Sequence, residues 1–128
     1  MHRFSVLLVE DNQLLRWWVT SSLQREGFRV VAPKSVEEAI ALAAMPFDVL
    51  ITDWRLAQDH NGLEILTGAR KKFPGTLAIL ISAEADAALS HRARAGGFDL
   101  VIEKPFAVAD IVGAVEHLAE RARPEVAP

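Results

Sequence analysis

Apolar runs that stop abruptly at a polar residue recur along the chain. Val6 to Val9 is followed by Glu10-Asp11, Val49 to Thr52 by Asp53, Leu77 to Ile81 by Ser82, and Leu100 to Ile102 by Glu103-Lys104. Runs of this length without strict alternation predict strands buried on both faces, as in a parallel sheet. Helical spacing fills the intervals. Asn12 to Glu26 carries Leu15, Trp18, Val19 and Leu23 on one stripe and closes at Gly27. Val30 to Ala32 is a short further strand, and Glu37 to Met45 is an Ala-rich helix between an N-cap at Ser35 and a stop at Pro46. The other helices are expected at Leu63 to Lys72, Asp86 to Ala95 and Val108 to Ala122.

Strand and helix therefore alternate five times. The expected fold is α/β: a flavodoxin-like, doubly wound, five-stranded parallel sheet of order 2-1-3-4-5, with helices on both faces and right-handed crossovers. At 128 residues and 51% hydrophobic content, one domain is expected over residues 1–123, with a frayed tail at 124–128. The formal charge of -3 comes without a basic block, so direct nucleic-acid binding is not expected. There is no cysteine, which removes disulfide and thiolate chemistry. The first apolar run is too short for a signal peptide or a membrane span, so no membrane insertion and a cytoplasmic setting are expected. His2, His60, His91 and His117 lack metal-ligand spacing and read as surface residues.

In a doubly wound sheet, ligands bind outside the carboxyl ends of the strands where strand order reverses. Glu10, Asp11, Asp53, Ser82 and Lys104 all fall on that edge. Three carboxylates brought together repel one another, which raises a pKa or requires a cation, and a cation is the less costly solution. Oxygen donors without His or Cys favour Mg²⁺, with Mn²⁺ as the alternative. One dication and the Lys104 ammonium neutralise the three carboxylates, which leaves room for a phosphoryl group. The Ser82 hydroxyl and nearby backbone N–H groups would then bind its oxygens.

On these motifs, from about Ser5 to Ala122, the chain resembles the receiver domains of two-component response regulators, of the single-domain, chemotaxis-regulator-like kind. The resemblance implies an acidic pair, Glu10 and Asp11, that holds Mg²⁺, with Asp11 the direct ligand and the backbone carbonyl of Arg55 another. It implies Asp53 as both phosphoacceptor and metal ligand, taking its phosphoryl group from a histidine kinase or a phosphotransfer protein. Ser82, Lys104 and the backbone N–H groups of Trp54 and Ala83 would bind the phosphoryl oxygens, and the Lys104-Pro105 bond would be cis. Self-phosphorylation from small phosphodonors and slow autodephosphorylation are implied as well. So is a downstream partner or output domain, or a second copy of the chain, on the face made by the fourth helix, fifth strand and fifth helix.

The chain departs from the family pattern at three places. Val101 stands three residues before the lysine, where the family usually has Tyr or Phe, and an aliphatic group cannot report a switch by ring rotation. Ala57 replaces a proline common four residues after the phosphoacceptor, and the stretch to Gly62 is one residue longer than in many members. Val101 is what keeps a second reading open, a receiver-like interaction module that works without phosphate. A phosphohydrolase of the haloacid dehalogenase type would need an aspartate where Arg55 stands. A flavodoxin-like electron carrier would have to place a phosphate against Glu10-Asp11.

Two side-chain expectations complete the reading. Helix geometry turns Trp18 inward with Leu15, Val19 and Leu23 and leaves Trp17 outside, a candidate contact for the phosphodonor. Arg55 and Glu84, each two residues beyond a site residue, are expected to form an ion pair at the mouth of the site.

Overall fold

The computed structural model describes residues 4–84 and 86–122. Its five strands are β1 (Ser5–Val9), β2 (Arg29–Val31), β3 (Val49–Asp53), β4 (Leu77–Ser82) and β5 (Leu100–Glu103). They alternate with α1 (Gln13–Arg25), α2 (Val36–Ala43), α3 (Gly62–Lys72), α4 (Ala87–Ala95) and α5 (Val108–Ala122). All pairings are parallel and the order is β2-β1-β3-β4-β5. The expected doubly wound fold is the one found.

Alternate residues of the central strands supply the two cores. Val6, Leu8, Val49, Ile51, Ile79 and Ile81 face α1 and α5, where Val19, Leu23, Ile111, Val115 and Leu118 cover them. Leu7, Val9, Leu50 and Leu80 face α2, α3 and α4. Because both faces are covered, these strands read as unbroken apolar runs, and removing this surface from water is the main stabilising term.

Local chemistry fixes the element ends. Asn12, Ser35, Asn61 and Asp86 cap the first four helices, each side chain accepting the backbone N–H three residues on. Helix α1 closes at Gly27, whose φ of +92 suits glycine. Phe28 N–H reaches back to Leu23 O and Gly27 N–H to Gln24 O, which satisfies the last carbonyls. Gly97, with φ of +103, closes α4 in the same way.

Several sequence expectations need correction. Trp18 is not turned inward: it is 52% exposed beside Trp17 at 64%. The buried stripe of α1 is Val19 and Leu23 flanked by half-buried Leu15, Arg16 and Thr20. The helix is thus rolled toward Arg16, which leaves Trp18 on the outer flank with Leu14 and Trp17. Strand β2 lies one residue earlier than expected, with Arg29 opposite Ser5. Helix α2 ends at Ala43 rather than Met45, since a residue preceding proline disfavours helical backbone. Strands β3, β4 and β5 each run one residue further than the apolar pattern, so that Asp53, Ser82 and Glu103 belong to the ladder. The expected tail at 124–128 lies outside the described residues.

Candidate functional site

The carboxyl ends of β1, β3, β4 and β5 converge on one cluster. Glu10, Asp53 and Ser82 are buried there, and Lys104 enters from just beyond β5. Lys104 Nζ donates to Asp53 Oδ2 at 3.0 Å and stands 2.8 Å from Glu10 Oε1. The second contact is an attraction of charges without hydrogen-bond alignment, so Glu10 Oε1 is buried with no hydrogen bond. The other Glu10 oxygen accepts the Asn12 N–H at 2.8 Å.

Two buried carboxyls facing one ammonium leave the cluster short of positive charge. Burial, then the neighbouring Glu10 carboxyl, push the Asp53 carboxyl up to about 7, with Lys104 pulling the other way. Burial works against the Lys104 ammonium, but its contacts with Glu10 and Asp53 outweigh that and raise its pKa.

The loop after β3 is shaped against this cluster. Gly62 opens α3 so close to the strand end that a Cβ there would run into the Asp53 carbonyl oxygen and the Thr52 side chain. Its N–H donates to Trp54 O at 2.8 Å, and Arg55 forms an antiparallel bridge with Asn61. The loop between them reverses through Gln58 and Asp59, both with positive φ. Arg55 leaves the loop outward and donates from Nε and Nη2 to Glu84 Oε2 at 3.1 and 3.0 Å, the ion pair expected from the sequence. Glu84 N–H donates to Ser82 Oγ at 3.1 Å.

Of the residues singled out from the sequence, Glu10, Asp53, Ser82 and Lys104 come together at one end of the sheet. Asp11 stays exposed at the rim and does not cap α1, a task that Asn12 performs. Ala83 and Arg55 are exposed in the flanking loops, and the Lys104-Pro105 bond is cis. Val101 is half-buried against the α2, α3 and α4 core, away from the charged cluster. Trp17 is open to solvent on α1. Two participants carried no sequence signal. Arg16 reaches from α1 to donate to the Glu10 carbonyl at 3.0 Å, and Arg92 of α4 lies over the buried Trp54 ring, 5.2 Å from its centroid.

A sequence profile described as "Response regulator receiver domain" matches residues 6–116. The chain belongs to that family. The phosphate regulon transcriptional regulatory protein PhoB of Rhizobium meliloti is 31% identical over 125 residues, which is 94% of this receiver and 54% of PhoB. Among solved structures, the non-phosphorylated HemR receiver domain from Leptospira biflexa superposes with a TM-score of 0.84 at 29% identity, covering 94% of this chain and 98% of that one. A response regulator from Burkholderia pseudomallei, solved with a phosphorylated aspartic acid, a calcium ion and citrate, superposes at 0.77 with 25% identity, covering 92% and 72%. The receiver spans between about a quarter and about half of the length of the curated relatives it matches.

Receivers generally depend on Mg²⁺, and the donor chemistry here fits such an ion in part. Glu10 Oε1 is a buried carboxylate oxygen without a hydrogen bond, and the cluster offers oxygen donors and excess negative charge. The arrangement is not yet a cage. Among the described residues, no three His, Cys, Asp or Glu side chains are gathered so as to hold a metal. Exposed Asp11 is the carboxylate that would have to turn in. No helix among the described residues is long and apolar enough to cross a membrane.

Proposed function

We propose that this receiver accepts a phosphoryl group on Asp53 from a phosphohistidine of a kinase or phosphotransfer protein and thereby switches the binding of a downstream partner. The observation that carries this reading is the Asp53 carboxyl itself, buried at the end of β3 and held by Lys104 in a cluster short of positive charge. The phosphorylated aspartic acid of the Burkholderia relative supports it.

In the reaction, a carboxylate oxygen of Asp53 attacks phosphorus in line with the P–N bond. An O–P bond forms, the P–N bond breaks, and its electron pair returns to the imidazole nitrogen. Lys104 releases part of its hold on the two carboxyls to bind a phosphoryl oxygen as charge builds there. The Ser82 hydroxyl and the backbone N–H groups of Trp54 and Ala83 bind the others. Glu10, Asp11, Asp53 and the Arg55 carbonyl would hold Mg²⁺ or Mn²⁺, Glu10 through water, since its Oε2 already accepts the Asn12 N–H. When bound, the ion neutralises charge on the transferring group.

Leu14, Trp17 and Trp18 form an exposed apolar stripe on α1, the helix that begins beside Asp11, and we assign it to docking of the phosphodonor. Unchanged transfer kinetics in Trp17→Ala would remove that assignment. The output surface is the α4–β5–α5 face, where an output domain, a separate partner or a second copy binds. The cytoplasm is the compartment this function implies.

The direct test uses phosphoramidate, a P–N donor, with Mg²⁺ and intact-mass detection. One phosphoryl group per wild-type chain, none in Asp53→Asn and none in chelator is the expected result. Equal labelling of Asp53→Asn, or no labelling of the wild type, would overturn it.

A further inference from the structure

Val101 sits opposite Leu80, and Leu80 opposite Thr52, so these three form one row across β5, β4 and β3. Val101 is half-buried in the core shared with α4, and its isopropyl group has no ring to turn. One row closer to the site on this face stands Trp54, buried and joined directly to Asp53. Its indole belongs to the same core as Leu89 and Ala93 of α4. Arg92, one residue before Ala93, places its guanidinium over the ring. Among the strands, α4 meets β5 most, and Trp54 adds a contact from the loop that follows Asp53.

We infer that the Trp54 indole, gripped by Arg92, is the element that transmits the state of Asp53 to α4 in this chain, in place of a ring at position 101. This rests on Asp53 being the phosphoacceptor. A phosphoryl group there draws hydrogen bonds from the adjoining backbone, and the Trp54 N–H is the nearest along the chain. Reorienting that peptide moves an indole with only two side-chain torsions, too bulky to slip within a close-packed core. The cation–π contact is directional and anchored on α4, so the displacement is passed to the helix rather than absorbed. Helix α4 forms part of the output face, which gives the shift a readout.

The test is hydrogen exchange across Ala87 to Ala95 with and without Mg²⁺ and beryllofluoride, each variant being saturated as judged by its bound ¹⁹F resonance. In wild type, beryllofluoride changes exchange in α4. Arg92→Gln reduces that change, Arg92→Lys restores it, and Trp54→Leu abolishes it while the bound resonance is present. Full α4 responses in Arg92→Gln and Trp54→Leu would overturn the inference, as would a saturated wild type with no change in α4. Failure of wild type to bind beryllofluoride at all is a different result, and it would remove the phosphoacceptor reading along with this one.

Discussion

The two ends of the sheet treat charge in opposite ways. At the end where the strands begin, Asp48, Arg70 and Asp99 each have matched partners. Asp48 accepts the Ser5 N–H at 2.7 Å and the Ser5 hydroxyl at 3.1 Å, tying the start of β1 to the start of β3. Arg70 donates to Thr76 O at 3.0 and 2.8 Å and to Gly97 O at 2.6 Å, and reaches Asp99, which itself accepts the Ala78 N–H. At the end where the strands finish, Glu10 and Asp53 share one ammonium and a buried oxygen is left without a hydrogen bond. The first end spends its polar groups on fixing strand starts and loops. The second keeps them under-compensated, which costs stability and prepares a place for a cation and a phosphoryl group.

The largest expected effect comes from breaking the second end. Asp53→Asn should lose phosphoryl uptake completely while making the metal-free protein more stable. The sign follows from the raised Asp53 carboxyl. Its ionisation is harder in the fold than in the unfolded chain, so the contribution it makes when protonated is fully present below pH 3.8 and lost as pH rises toward about 7. In chelator, the advantage of Asp53→Asn should therefore grow between those values and level off above them, reaching a few kcal/mol. Urea unfolding at a series of pH values measures this, and saturating Mg²⁺ should shrink the difference.

Lys104→Gln should leave acceptor chemistry in place but slow it by about 100-fold, the usual cost of losing one donor to developing charge. Single-turnover labelling with phosphoramidate reads that rate. Arg70→Met tests the other end. It leaves the Thr76 and Gly97 carbonyls without their donor, and should lower stability by about 2 to 4 kcal/mol in urea titration with phosphoryl uptake unaltered. A change in uptake would mean that the two ends are not independent. The smallest expected effect is that of Glu84→Gln at the rim. The Arg55 pair is exposed, so stability should move by no more than about 1 kcal/mol, and the change should appear instead as faster hydrolysis of the acyl phosphate.

How legible each part was in the sequence follows from the same physics. The parallel strands are buried on both faces, so apolar runs mark them, and a polar residue at a strand end is conspicuous because it interrupts the run. Asp53, Ser82 and Lys104 stood out for that reason, and the Arg55–Glu84 pair followed from their neighbours' positions. The roll of α1 did not show. Spacing defines a stripe on a helix but not which flank of it meets the core, and the pull of Arg16 on the Glu10 carbonyl lies outside any hydrophobic pattern. Trp54 is marked in the sequence by its backbone N–H and its place beside Asp53, but a single indole in a polar loop gives no sign that it lies buried beneath Arg92.

The central claim is that the Asp53 end of the sheet is held short of positive charge until a dication arrives. The most direct measurement is a pH titration of the Asp53 side-chain carboxyl by ¹³C NMR, in chelator and in saturating Mg²⁺. A midpoint near 7 is expected without metal, with a large downward shift when Mg²⁺ is bound. A midpoint in the ordinary carboxylate range under both conditions would contradict it.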